Sequence, residues 1–115
     1  MYILNWNPTE QQLEASFGGA VTRAEAEVFL DEFRDVLKSD DICEFEFVVD
    51  FAKVSRMDDE VASVLESARD VAKFSGAKLV TFVTRNDDEV INLTHGRLQE
   101  VLEGCERYVA YHIAA

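Results

Sequence analysis

The spacing of apolar residues along the chain changes several times between the period of two that is typical of strands and the period of 3.6 that is typical of helices. Residues 2–6 and 11–17 have the shorter period and flank a turn that begins at Asn7, so they predict a β-hairpin. Gly18 and Gly19 follow directly and are expected to end the second strand.

A helix is predicted next, over residues 23–39. Thr22 and Glu25 have the T-x-x-E spacing of a capping box, which is a start signal for a helix. Apolar residues then recur every three or four positions and form one stripe. The stripe consists of Ala26, Phe29, Leu30, Phe33, Val36 and Leu37. After a polar turn at Ser39-Asp40-Asp41, residues 45–51 are apolar on both faces, which predicts a central strand that is covered on both sides or is at least well buried.

The remaining elements follow the same alternation. A helix is predicted over residues 58–75, because Gly76 can supply its left-handed C-terminal cap, and a strand over residues 79–83. Asn86 and Glu89 mark the start of another helix, which is expected to break at His95-Gly96, resume and stop at Gly104. Residues 108–113 predict a last strand, at an edge of the sheet.

The order β-β-α-β-α-β-α-β predicts an α/β fold with a single mixed β-sheet, right-handed parallel crossovers and helices packed mainly on one face. A chain of 115 residues forms enough core for one domain, so residues 1–115 are expected to be a single domain. The predicted core comprises Phe17, Phe29, Phe33, Phe47, Val49, Val64, Leu65, Leu79 and Val101.

Charge excludes two classes of partner. The formal net charge is −12, from 23 acidic against 11 basic residues, and no basic patch appears. Nucleic acid and anionic membranes both attract basic surfaces, so neither is an expected partner. The chain also has no apolar run of membrane-spanning length and no signal-peptide pattern, which predicts a cytoplasmic protein without direct membrane insertion.

The residues that usually carry catalysis or bind metals are sparse. His95 and His112 lie in different predicted elements without a metal-ligand spacing, so no metal and no catalytic residue is expected. Cys43 and Cys105 have no CxxC spacing and are expected to be free thiols. No glycine-rich loop has a phosphate-binding context, so no cofactor is expected.

A phospho-acceptor receiver domain has a similar length and a similar order of elements. Asp50 could act as its acceptor, but the first strands lack the acidic pair at their ends. Lys78 precedes its strand instead of following a late one, which also argues against a receiver domain.

Residues 45–104 resemble the STAS domain, the family of anti-sigma-factor antagonists and sulfate-transporter tails. In that family, a strand with the pattern apolar-apolar-Asp-apolar is followed by a single apolar residue and then by an apolar residue and an Asp. Fragments of this chain match that pattern and the segments after it, in the same order. The matching fragments are Val49-Asp50-Phe51, Val54, Met57-Asp58, Val64-Leu65, Ser75-Gly76-Ala77-Lys78-Leu79-Val80 and Leu93-Thr94-His95-Gly96. The resemblance implies a regulatory module that binds proteins and has no enzymatic activity.

The chain departs from the family at the functional motif. Antagonists carry Asp-Ser-Ser/Thr-Gly before this helix, and a partner kinase phosphorylates the first Ser. With Asp58 matched to the family's Asp, Asp59 stands where that Ser would be, followed by Glu60 and Val61. Because none of these residues has a hydroxyl group, the resemblance implies no serine switch here.

The expected protein-binding surface is the loop and helix start around Asp59, where fixed carboxylates imitate phosphoserine in part. The surface consists of Ser55, Arg56, Met57, Asp58, Asp59, Glu60 and Ala62. The partner implied by the resemblance is an anti-sigma-factor-type kinase or a transporter subunit. One alternative is that the acids only cap the helix, with Asp58 as its N-cap. Another is an accessory subunit of a transport system or a small-ligand-binding module.

Overall fold

Five strands form one mixed sheet in the computed structural model of the chain, which describes residues 1–39, 42 and 44–110. The order of strands across the sheet is the same as their order along the chain. They are β1 (Tyr2–Asn7), β2 (Gln12–Val21), β3 (Phe45–Met57), β4 (Ala77–Thr84) and β5 (Glu106–Ala110). β1 and β2 form the expected antiparallel hairpin, and every later pair is parallel. The predicted fold class is confirmed.

Four helices connect the parallel strands: α1 (Arg23–Ser39), α2 (Val61–Phe74), α3 (Asp87–Thr94) and α4 (Leu98–Leu102). Parallel crossovers are right-handed, and the strand order never reverses, so these connections place the helices on one face of the sheet. The predicted break in the last helical segment is confirmed, because His95 caps the end of α3 and Gly96 has a φ of 74° that favours glycine. None of the helices in the described residues is long and apolar enough to span a membrane.

The core lies between the helices and one face of the sheet. Along β3, Phe45, Phe47, Val49 and Phe51 are buried, whereas Glu46 between them is exposed. β3 is therefore the well-buried central strand that was expected, whereas the alternative that both of its faces are covered is wrong. With the helices on one face, only every second residue of a central strand packs against them.

Most of the predicted core is buried. The buried members are Phe17, Phe29, Phe33, Phe47, Val49 and Leu65. Val64 and Leu79 are half-buried, since the pleat turns Leu79 away from the face that holds Val80. Val101 is 37% exposed, so its assignment to the core is wrong. It lies on α4, a helix of five residues none of which is buried.

β2 does not end at its glycines. The pairing of β2 with β3 shifts in register next to Gly18 and Gly19, which marks β-bulges in the strand, and Gly19 adopts a φ of 69°. A bulge absorbs an extra residue without ending the ladder, so β2 continues to Val21, which pairs with Met57. The expected strand end at Gly18-Gly19 is therefore wrong.

The last strand begins earlier than expected, at Glu106, and lies at the edge of the sheet as predicted. Residues 111–113 of the predicted strand lie outside the described residues. The same holds for His112, Cys43 and the Asp40-Asp41 part of the predicted turn.

Candidate functional site

A cavity opens where β3 continues beyond the end of β4. The last pair between these two strands joins Asp50 and Val83, whereas pairing of β3 with β2 continues to Met57. The end of β3, the start of α2 and helix α3 therefore surround a space that β4 does not fill. This cavity, the β3–α2 cavity, has a volume of about 240 Å³.

The β3–α2 cavity has an apolar floor and a polar rim. The floor is formed by the buried side chains of Phe51, Leu65 and Leu93. The rim is formed by Met57, Asp58, Asp59, Ala62, Arg85, Glu89 and Asn92. An apolar floor with a few polar groups above it is the usual composition of a binding pocket. Three acids and one arginine among these residues give the rim a negative charge.

Asp58 does not cap the helix that follows it. One of its carboxylate oxygens, Oδ2, accepts a hydrogen bond of 3.1 Å from the backbone N–H of Arg23, the first residue of α1. The predicted role of Asp58 as the N-cap of α2 is wrong, because α2 begins only at Val61 and Glu60 occupies its N-cap position. The pairing of Val21 with Met57 brings Asp58 beside the start of α1 instead.

The first turn of α1 is therefore capped from two places. The Oγ1 atom of Thr22 accepts a hydrogen bond of 3.2 Å from the N–H of Glu25, as the capping box predicts, and Asp58 accepts the N–H of Arg23. Asp58 thus links the end of β3 to α1, and its carboxylate has a structural role.

We expect Asp58→Ala to lower the free energy of unfolding by about 0.5–2 kcal/mol, the usual cost of removing a side chain that caps a helix. Hydrogen exchange should become faster at the first amides of α1 while the start of α2 is unchanged. Asp59→Ala is the matched control and should change stability by less than about 0.5 kcal/mol. Faster exchange at the start of α2 alone would contradict this assignment.

Asp59 and Glu60 lie in the turn before α2, with exposed side chains. Within the described residues neither carboxylate takes part in a hydrogen bond or an ion pair, and no side chain caps α2. Acids at this position still complement the partial positive charge of the helix N-terminus. Their charge is thus accessible to a binding partner.

Arg85 and Glu89 form an ion pair on the other side of the β3–α2 cavity. The guanidinium Nη2 of Arg85 lies 2.8 Å from Oε2 of Glu89, and the backbone N–H of Arg85 donates to Oε1 of the same carboxylate at 2.8 Å. Hydrogen bonding to Glu89 raises the pKa of Arg85, against the opposite effect of burial. The arginine at the rim is therefore neutralised by its neighbour and leaves the acids near α2 without compensation.

Four of the seven residues of the expected protein-binding surface line the β3–α2 cavity: Met57, Asp58, Asp59 and Ala62. Ser55, Arg56 and Glu60 do not line it, although all three are exposed nearby in sequence. Sequence reasoning missed the residues contributed by other elements. These are Phe51, Leu65, Arg85, Glu89, Asn92 and Leu93.

A signal for part of this set was present. The Asn86–Glu89 helix start directly follows β4, and the carboxyl ends of neighbouring parallel strands meet at one edge of a sheet. The side chain of Asn86 does accept the N–H of Glu89, at 3.0 Å, so the predicted helix start is confirmed. That start places Arg85 and Glu89 at the same edge as Asp59.

Three residues that were considered above for a metal site, phosphate acceptance or thiol chemistry lie within the described residues. No group of three or more His, Cys, Asp or Glu side chains there could hold a metal ion. Asp50, considered above as a phospho-acceptor, lies within β3, and its Oδ1 accepts the N–H of Ala52 at 3.0 Å. Cys105 is a half-buried free thiol and His95 is exposed at the end of α3.

Solved structures of similar shape include two of SpoIIAA. The anti-sigma-factor antagonist SpoIIAA in its unphosphorylated form matches 99% of this chain and 90% of its own, with a TM-score of 0.59 and 10% identity. The phosphorylated form of SpoIIAA, described as a Bacillus cell-fate determinant, matches 97% of this chain and 92% of its own, with a TM-score of 0.65 and 9% identity. The fold is that of SpoIIAA, a STAS-like fold.

An uncharacterised protein of Shewanella loihica, described as having a SpoIIAA-like fold, is also similar. It covers 98% of this chain and 86% of its own, with a TM-score of 0.60 and 10% identity. No protein-family model matches the chain, and no curated protein matches it. At these identities the likeness concerns the SpoIIAA-like fold, and the function has to be argued from the site.

Proposed function

We propose that residues 1–115 form a single, non-enzymatic regulatory domain that binds a protein partner in the cytoplasm, in the manner of anti-sigma-factor antagonists. The binding surface is the edge of the sheet at the β3–α2 cavity, and serine phosphorylation at position 59 does not regulate it, because Asp59 replaces the hydroxyl group. The observation that carries the proposal is the exposed carboxylate of Asp59 above an apolar floor, with no partner among the residues that the structure describes.

The site favours a partner segment of defined chemistry. Glu89 neutralises Arg85 and Asp58 accepts a hydrogen bond from α1, so Asp59 is the rim carboxylate that has no hydrogen bond or ion pair within the described residues. Lysine or arginine next to an apolar side chain would satisfy both the rim and the floor. An anti-sigma-factor-type kinase and a transporter subunit are the two classes of partner that we propose.

We expect Asp59→Lys to weaken binding of the partner at least tenfold, about 1.4 kcal/mol, while the melting temperature shifts by only a few degrees. The residue is exposed and its side chain has no hydrogen bond or ion pair within the described residues, so the change affects charge complementarity more than packing. The measurement is calorimetric titration of a partner that was captured with the wild-type chain.

Glu66→Lys is the matched control, because Glu66 is an exposed acid of α2 that does not line the β3–α2 cavity. It should leave the dissociation constant unchanged within about a factor of two. Equal affinities for Asp59→Lys and Glu66→Lys would show that recognition lies elsewhere and that the acids only complement the helix. Asp59→Ser, offered to a kinase partner, should accept phosphate only if the rest of the surface is recognised.

A small-ligand-binding module is the second candidate, and the β3–α2 cavity itself favours it. Its apolar floor and polar rim have the composition of a ligand pocket, and its volume of about 240 Å³, below the usual range of about 300–1,000 Å³, limits the ligand to a small molecule. Binding of a small ligand would raise the melting temperature of the isolated chain in a metabolite screen. Leu93→Trp, which fills the floor, would abolish that rise.

A further inference from the structure

A second groove lies between the C-terminal halves of α1 and α2, at the other end of α2 from Asp59. Its apolar part is formed by Leu37, Val71 and Phe74, and its charged rim by Arg34, Lys38 and Asp70. This α1–α2 groove has a volume of about 620 Å³. Along the axis of α2, Val71 of the groove lies nine residues, or about 13 Å, beyond Ala62 of the β3–α2 cavity.

Phe74 is unlike every other phenylalanine of the chain. Seven of the eight are buried, whereas the side chain of Phe74 is 96% exposed. The buried stripe of α2 contains Val61, Leu65 and Ala72, and Phe74 lies off this stripe at the last position of the helix. No ring contact involves Phe74 within the described residues, so core packing does not account for an aromatic residue here.

The cations of the groove are also unusual. Arg34 and Lys38 lie one helical turn apart, and both are exposed. Neither forms an ion pair with any residue the structure describes, although the chain carries 23 acids and 11 bases. The acid in the groove, Asp70, lies 3.5 Å from Nε of Arg69, so it has a cation of its own. In a chain with a net charge of −12, the lining of this groove thus carries two cations against one acid, beside an exposed aromatic ring.

We propose that the α1–α2 groove is a second protein-binding surface, which takes a partner segment with acidic side chains next to a large apolar or aromatic one. Acidic groups pair with Arg34 and Lys38, and the apolar side chain packs on Phe74 and Val71. The proposal stands independently of the function proposed for the β3–α2 cavity. With two separate surfaces of opposite charge, the chain can bridge two different proteins.

A second copy of the chain does not fit this groove. In a two-fold dimer the same patch meets itself, which would bring Arg34 and Lys38 of one copy against the same cations of the other. Two molecules of net charge −12 also repel each other at low salt. Charge complementarity therefore favours an acidic partner of different sequence.

The test is a selection of random peptides displayed on phage against the full chain, followed by fluorescence anisotropy with the recovered peptides. We expect the recovered sequences to combine Asp or Glu with Trp, Phe or Leu. Phe74→Ser and Arg34→Glu should each weaken their binding at least tenfold, and added salt should weaken it further. Both residues are exposed, so thermal melting should show both variants folded.

Ile3→Ser and Arg107→Glu are the matched controls, because both residues are exposed on strands and do not line the groove. They should leave peptide affinity unchanged, as should Asp59→Lys, which separates this surface from the β3–α2 cavity. Three results would overturn the proposal: recovered peptides rich in Lys and Arg, no enrichment over Phe74→Ser protein, or a wild-type dimer that Phe74→Ser dissociates. The last of these would make a second copy the occupant.

Discussion

Phe33→Ala should lower the free energy of unfolding by about 3–5 kcal/mol, as is usual when a buried phenylalanine is truncated. Phe33 is fully buried and stacks on Phe47 of β3 with ring centroids 4.5 Å apart. Phe33 also stacks on Phe29 at 5.8 Å, and Phe29 in turn contacts Phe17 of β2 at 5.0 Å. The variant removes the central ring of this row and leaves a cavity between α1 and the sheet, which urea denaturation will measure.

Phe74→Ala is the matched control, because it is the same chemical change at a side chain that is 96% exposed. It should cost less than about 0.5 kcal/mol. A loss below that value at Phe33 as well would show that α1 does not pack on the sheet through this row. The two variants make the same chemical change at a buried and at an exposed position, so the difference between their stabilities measures the effect of burial.

Local signals were sufficient for the elements whose ends depend on their own residues. The Thr22–Glu25 capping box and the stripe that contains Phe29 predicted α1 with the bounds that the structure has. The helix start at Asn86 and the break at Gly96 were predicted for the same reason. In these cases the deciding hydrogen bonds join residues only a few positions apart.

Features that depend on distant pairing could not be predicted in this way. The continuation of β2 past Gly19 depends on its partner β3, since a Gly-Gly pair by itself predicts the end of a strand. Val101 has the helical spacing of a core residue, but whether its face meets the sheet depends on how the short α4 is placed. Periodicity alone does not distinguish a buried stripe from an exposed one.

The site shows the same division. The loop at Asp59 was located because a helix start is a local pattern, and four residues of the expected surface do line the β3–α2 cavity. The hydrogen bond from Arg23 to Asp58 spans 35 positions and exists only because Val21 pairs with Met57. Predicting the capping role of Asp58 thus requires the strand register, which no short sequence motif contains.

The most deeply buried acid of the described residues, Glu106, was not singled out by any sequence pattern. Its side chain is fully buried at the start of β5, where Lys73 donates at 2.7 Å, Tyr108 donates at 2.5 Å and Arg97 forms an ion pair through both carboxylate oxygens. Burial by itself would raise the pKa of Glu106. Hydrogen bonds from Arg97, Lys73 and Tyr108 outweigh that effect and lower the pKa to about 2.

This cluster joins elements that are distant in sequence. Lys73 belongs to the last turn of α2, Arg97 lies between α3 and α4, and Tyr108 stacks on Phe82 of β4 at 5.5 Å. Disrupting the hydrogen bonds and ion pairs of a buried carboxylate is costly, because removal of its charge leaves the cations without a partner. Glu106 therefore fixes the edge of the sheet opposite the β1–β2 hairpin.

Glu106→Gln should lower the free energy of unfolding at neutral pH by about 3 kcal/mol, because the amide has the shape of the protonated acid and cannot carry its charge. The folded-state pKa of about 2 lies below the ordinary value of 4.5. The charge therefore stabilises the fold fully above about pH 4.5, and this contribution is lost as the pH falls towards 2. The difference in stability between wild type and variant should shrink over the same interval, as urea denaturation at several pH values will measure.

Glu66→Gln is the control for the general effect of acid on an exposed carboxylate, and it should differ little from wild type at any pH. Subtraction of each variant from wild type removes the titration of the other acids, which all three proteins share. A difference for Glu106→Gln that stays constant down to pH 2 would mean that the carboxylate titrates normally and that its cations do not hold it ionised. A difference that disappears in step with the pKa of Glu106 would show that this one buried charge contributes to the sensitivity of the fold to low pH.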